Sequence, residues 1–144
     1  MATWIYDDGG RIEAGFRGQT GDCVCRAIAI ATETPYKEVY DLINKYGARE
    51  HIGKRKKGKS SARTGVYKNT IRKIMTEHFG WVWHPTMTIG SGCKVHLKAD
   101  ELPTGRIICN CSRHSVAVID GMIHDTYDST RGGTRCVYGY YSKD

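Results

Sequence analysis

The chain has 144 residues, 40% of them hydrophobic and 26% charged, with a formal net charge of +7. That is enough for one globular domain, 1–144, with a sizeable core, and it excludes a disordered chain. No apolar run is long enough to cross a bilayer, so a membrane partner is not expected. The excess charge is localised, because between Arg49 and Arg63 seven cations face one carboxylate, Glu50. That segment carries +6 and leaves +1 for the rest, so the chain reads as a near-neutral domain with one basic, mobile loop, 49–63. The first residues, Met1-Ala2-Thr3-Trp4-Ile5-Tyr6-Asp7-Asp8, lack the basic and apolar regions of a secretory signal. The expected compartment is therefore the reducing cytoplasm, and disulfides are not expected among the six cysteines.

In chain order, residues 3–6 and 11–16 predict two short strands around the turn Asp7-Asp8-Gly9-Gly10. Residues 15–21 read as a loop. From Asp22, a good N-cap residue, the run to Thr32 has helical length, no Gly or Pro, and apolar residues on nearly every side except Arg26. It predicts a central, buried helix. Thr34-Pro35 predicts a second helix with Thr as N-cap and Pro at the first helical position, a core-facing stripe Tyr36, Val39, Tyr40, Ile43 and Tyr46, and Gly47 as its stop. After the basic loop, Thr64 to His78 predicts a third helix, stopped by Gly80. Trp81-Val82-Trp83 predicts a strand ended by Pro85, and residues 86–98 are mixed. Beyond the turn at Leu102-Pro103-Thr104-Gly105 the period becomes strand-like: Arg106–Cys111, His114–Ile119, Met122–Tyr127 and Cys136–Tyr141. Asp120-Gly121 between two apolar runs is a hairpin signal. Helices first and an antiparallel sheet second predict an α+β fold.

The buried helix begins with an acid and two thiols, which poses the question of chemistry. A helix N-terminus presents unpaired amides and a partial positive charge, which stabilise a thiolate. Cys23, directly after the proposed cap, is best placed to use them. Cys25 lies about 200° further round the helix, so one sulfur can face a cleft while the other packs into the core. A base partner follows from counting the hairpin. With Asp120-Gly121 as the turn, Ile119 faces Met122, Val116 faces Asp125 and His114 faces Tyr127. His114, Asp125 and Tyr127 then share one face, with Asp125 diagonal to His114, whereas His124 and Asp128 fall on the other. A carboxylate beside an imidazole sets its tautomer and stabilises the imidazolium. Cys23, His114 and Asp125 thus supply a nucleophile, a general base and its orienting group.

A Cys heading a buried helix, followed by His and Asp on antiparallel strands, resembles the papain-like cysteine peptidase superfamily. Asp22-Cys23-Val24-Cys25-Arg26-Ala27 resembles the Asp-x-x-Cys-x-x-Arg-Ala nucleophile segment of ovarian-tumour-type deubiquitinases, shortened before the Cys. His114-Ser115-Val116-Ala117-Val118-Ile119-Asp120-Gly121 is similar to the superfamily's His-then-hydrophobic-strand motif. The segments 61–67, 89–97 and 124–128 resemble small phage and bacterial papain-like proteins that bring no known activity with them. The resemblance implies a papain-like fold and a cysteine-dependent peptidase or isopeptidase reaction through a thioester, with transglutaminase-like acyl transfer using the same residues. It also implies an oxyanion donor, commonly a Gln six residues before the nucleophile. Gln19, the chain's one glutamine, lies six before Cys25 and four before Cys23. By this interval Cys25 is the alternative nucleophile; by helix position and the Arg-Ala match it is Cys23, whose own amide would then carry more of the oxyanion.

A metal or other cofactor is not expected. The Cys-x-Cys pairs lack the Cys-x₂-Cys knuckle of structural zinc, and only Cys109 and Cys111, on one strand face, could meet a common ion. Packing in the sheet is the expected role of Cys93, Cys109, Cys111 and Cys136. Trp81, Trp83 and Tyr127 are candidate cleft residues, with core packing preferred for the tryptophans. The run Lys54-Arg55-Lys56-Lys57-Gly58-Lys59 suits non-specific phosphate contacts but has no interleaved aromatics for base stacking. The expected partner is a protein or peptide substrate, with an acidic one steered by this loop. The competing reading is a non-catalytic papain-like binding protein that sequesters a host or nucleic-acid partner.

Overall fold

The computed structural model describes residues 4–17, 21–50, 58–88 and 90–143. Its elements are β1 (Trp4–Tyr6), α1 (Cys23–Thr32), α2 (Tyr36–Ala48), α3 (Lys68–Lys73), β2 (Val82–Pro85), β3 (Arg106–Cys111), β4 (His114–Ile119), β5 (Met122–Asp125) and β6 (Gly139–Ser142). The fold is α+β. Six strands form one sheet in the order β1-β5-β4-β3-β6-β2. Neighbours are antiparallel except β1, which runs parallel to β5, so the sheet is mixed rather than wholly antiparallel.

Alternation along β3 and β4 sends side chains to two different cores. Ile108 and Ala117 join α1, α2 and the α3 region on one face, whereas Ile107, Cys109, Val116 and Val118 meet Leu97, Leu102 and Val137 on the other. The strands are apolar on both faces because both are covered. Helix α1 is the hub of the first core: Cys25, Ile28, Ala27 and Ala31 are each no more than 2% exposed, as its near-uniform apolar character predicts. Each fully buried isoleucine there contributes about 1.5–3 kcal/mol.

The expected strand over 11–16 is instead a coil of turns. The Asp7 and Asp8 carboxylates accept the backbone N–H groups of Gly9 and Gly10, and Asp8 also accepts that of Ile12. These local bonds wind the chain, with Ala14 N–H donating to Gly10 O, so no return strand forms. Gly9, at φ +71°, lies against the Arg26 backbone, where an added Cβ would come within 3.2 Å. Strand β1 is left to pair with β5, held by Asp7 N–H to Asp125 O at 2.9 Å and by His124 Nδ1 to Asp7 Oδ2 at 3.0 Å.

Helix α2 starts one residue later than expected, with Pro35 rather than Thr34 at the cap. Gly47 lies inside it rather than ending it. Its role is close approach, because a Cβ there would stand 2.2 Å from the Ser60 carbonyl oxygen. Gly47→Ala is therefore expected to destabilise the protein by about 1–3 kcal/mol, read as a lower urea midpoint at unchanged slope; an unchanged midpoint contradicts this packing.

The third helix begins at Lys68, not Thr64. Ser61 and Gly65 exchange both backbone hydrogen bonds across a tight turn, and Gly65 takes φ +138°. The helix widens into a π turn over Ile74–His78. Of the basic loop, residues 51–57 lie outside the described residues. Its end is tied down: Lys59 Nζ donates to Ala48 O, and Ser60 N–H to the Glu50 carboxylate at 2.6 Å.

The β4–β5 hairpin forms in the counted register, with Ile119 opposite Met122 and Val118 opposite Ile123, but the ladder ends at Ala117–His124, short of the counted pairs Val116–Asp125 and His114–Tyr127. Asp120 and Gly121 have φ +49° and +81°, which is the two-residue turn whose twist matches antiparallel strands. Strand β5 ends at Asp125, short of Tyr127, and β6 begins at Gly139 rather than Cys136.

One disulfide overturns the expectation of none. Cys93 and Cys136 are bonded, with Cα atoms 5.8 Å apart. The pairing of His96 with Cys136 brings residues 93–96 alongside residues 136–137, and Val137 N–H donates to Val95 O at 2.8 Å. Neither cysteine packs in the sheet.

Candidate active site

Cys23 is the first residue of α1 and is partly exposed. Asp22 stands at the N-cap position but its side chain makes no cap hydrogen bond. The first-turn amides therefore point at the Cys23 region without a capping carboxylate. The sulfur lines a cleft of about 310 Å³ between the head of α1, residues 64–71, and the β3–β4 turn.

Opposite it, the tight turn Ser112-Arg113, with Arg113 at φ +54°, delivers His114 at the start of β4. The His114 ring lines the same cleft as Cys23, and the interaction between the two favours the thiolate and the imidazolium. The ring's Nε2–H donates to the Asp125 carboxylate, at 2.6 Å from Oδ2. Asp125 closes β5 and is 2% exposed. It also accepts Ser129 Oγ–H on Oδ2 at 2.8 Å and its neighbour's Thr126 N–H on Oδ1 at 2.8 Å. The structure thus brings together Cys23, His114 and Asp125, from a helix head, a strand start and a strand end.

The electrostatics favour the charged pair. Burial opposes ionisation of Cys23, but hydrogen bonds from His114 and the Ser115 backbone, with the charges of His114 and Arg26, outweigh it and hold the thiol below its ordinary pKa. Burial likewise opposes an imidazolium, yet the bonds to Asp125 and Cys23 raise the pKa of His114. Asp125, despite desolvation, is held below the ordinary carboxylate range, chiefly by His114 and Ser129.

Cys25 sits elsewhere. It is fully buried, its Sγ–H points to Tyr36 O at 3.8 Å, and burial pushes its pKa up to about 12. Cys109 and Cys111 share a face, as counted, inside the second apolar core; burial raises both, Cys111 to about 11. Gln19 lies outside the described residues. Tyr127 is exposed and its ring centroid lies 5.5 Å from that of His114. Trp81 packs in the first core, and Trp83 lies against Tyr141. Among the described residues no group of three or more His, Cys, Asp or Glu side chains is placed to hold a metal ion. Among the described residues no helix is long and apolar enough to cross a membrane.

What the cap reading of Asp22 missed is an ionic network beneath the site. Asp22 is 1% exposed and binds the Arg26 guanidinium, the Tyr36 hydroxyl at 2.6 Å and Arg11 Nε at 3.6 Å. Arg26 also reaches Asp125 Oδ1 at 3.4 Å, so one guanidinium joins the head of α1 to the carboxylate behind His114. The i,i+4 spacing of Asp22 and Arg26 was the available signal. Ser129 had none, since a loop serine four residues past the carboxylate has no pattern.

A larger hollow of about 610 Å³ lies at the other end of α1, by Ala31, Thr32 and Arg106, and is lined by none of Cys23, His114 and Asp125. No protein-family model matches the chain, and comparisons with curated proteins and with solved structures find no match either.

Proposed function

We propose that the protein is a papain-like cysteine hydrolase, a peptidase or isopeptidase acting through a thioester. The observation that carries this reading is one imidazole, bonded to a buried, multiply bonded Asp125, lining the same cleft as Cys23 at the head of α1. In the proposed reaction the Cys23 thiolate attacks the carbonyl carbon and forms a C–S bond. The developing oxyanion is stabilised by the Cys23 backbone amide at the helix head, with Gln19 as the further donor. The C–N bond then breaks as His114 Nδ1 gives its proton to the leaving amine. Water attacks the thioester, His114 takes the water's proton, and the C–S bond breaks to release the acid. Asp125 keeps the ring oriented and stabilises its cationic form throughout.

The reading is tested with an activated acyl ester and mass mapping of the protein. One acyl group is expected, on Cys23, and none is expected after Cys23→Ala. Acylation spread evenly over the free cysteines, or centred on Cys25, contradicts it. A non-catalytic binding protein has no reason to acylate at one sulfur, so the same measurement separates the two classes.

A further inference from the structure

The cleft at Cys23 is not isolated. It shares Lys68 and Asn110 with a hollow of about 240 Å³ that reaches Arg72 and Tyr138. On its other side it shares Thr64, Gly65 and Val66 with a hollow of about 320 Å³ that reaches Lys59. Through these shared residues the three make one contiguous groove, and Cys23 lines the hollow that adjoins both others. Its charged described lining residues are Lys59, Lys68, Arg72 and Arg113, with no Asp or Glu among them. Lys68, Arg72 and Arg113 are exposed, and none is ion-paired to a carboxylate among the described residues.

A groove through a nucleophile suits an extended chain, and the exposed cations Lys68, Arg72 and Arg113 along it select the charge of that chain. We infer that this groove binds an acidic peptide segment, with Asp or Glu side chains flanking the reacting carbonyl and meeting Arg113 and Lys68. The inference rests on Cys23 being the nucleophile. The cations it uses, Lys68, Arg72 and Arg113, lie outside the basic loop 49–63.

Single-stranded nucleic acid is the other polyanion to weigh. It would need open aromatic faces for its bases. Tyr141 is 3% exposed and packed on Trp83, and Lys68 already lies over the Tyr138 ring at 5.4 Å. These two aromatic faces, beside Lys68 and Arg72, are therefore occupied, whereas Arg72 and Arg113 are open to carboxylates.

The test compares two peptidyl chloromethyl ketones of equal length, one with Glu and one with Lys flanking the electrophile, by the rate at which each alkylates Cys23. Iodoacetamide serves as the uncharged reference. The acidic probe is expected to react about tenfold faster than the basic one at low salt, with the ratio shrinking at high salt. The double variant Lys68→Glu, Arg113→Glu is expected to invert the ratio; its fold is checked by circular dichroism, and Arg72→Glu gives a second, smaller shift in the same direction. Equal rates for the two probes, with iodoacetamide still selective for Cys23, overturn the acidic-peptide inference and leave the hydrolase reading standing. Loss of iodoacetamide selectivity itself overturns both. Protection of Cys23 by an oligonucleotide but not by a Glu-rich peptide assigns the groove to nucleic acid and overturns the inference.

Discussion

Replacing His114 with alanine is expected to lower turnover of an activated acyl substrate by about 10²–10⁴-fold, the usual contribution of a positioned general acid–base. The same change acts on the resting protein. Burial opposes the Cys23 thiolate, and the His114 bond and charge are the chief forces against it. Without them the thiol returns toward or above its ordinary pKa, and only a few per cent is ionised at neutral pH. Alkylation at pH 7 should then slow by about tenfold or more. His114→Ala with undiminished alkylation and turnover would show that the imidazole is a bystander.

Replacing Arg26 with methionine is expected to cost about 3–5 kcal/mol of stability, the range for breaking a buried ion pair from one side. The Asp22 side chain is 0% exposed and that of Arg26 12%, so water cannot readily take over the lost partner. Tyr36 and the more distant Arg11 remain, which favours the lower end of the range. Removing both charges, as Asp22→Asn with Arg26→Met, should cost less than the arginine change alone, because no uncompensated carboxylate is left in the core. Urea unfolding of the single and double variants measures this. A double variant as unstable as the sum of its parts would show that the pair is not coupled. The arginine variant should also alkylate more slowly at Cys23, since Arg26 lies behind both the sulfur and Asp125.

The parts legible in the sequence were those written in local pattern. An apolar run with an Asp before it gave α1, and Asp120-Gly121 gave a hairpin whose register could be counted to the residue. That count placed His114 and Asp125 on one face before any coordinates. The failures were of two kinds. Short-range polar bonds displaced expected elements: Asp7 and Asp8 coiled residues that alternate like a strand, and the Ser61–Gly65 turn delayed α3. Long-range partners were invisible, because nothing local marks Asp7 as the residue that docks β1 parallel to β5, or Cys93 as the partner of Cys136. Asp22 combines the two. Its position was read correctly, but its carboxylate serves Arg26 and Tyr36 instead of the helix amides. That leaves the first-turn amides beside Cys23 without a side-chain cap.

The pH dependence of iodoacetamide alkylation, resolved by mass for Cys23, Cys25, Cys109 and Cys111 with the Cys93–Cys136 bond kept oxidised, tests the central claim most directly. With the Cys23 pKa lowered and that of His114 raised, the thiolate is lost only as pH falls through the lowered value, and it survives as pH rises and the imidazolium deprotonates. The account predicts that Cys23 reacts far ahead of the other three at neutral pH, with its inflection below the ordinary thiol value of about 8.5. An inflection for Cys23 at or above about 8.5, or four cysteines of equal reactivity, would contradict it.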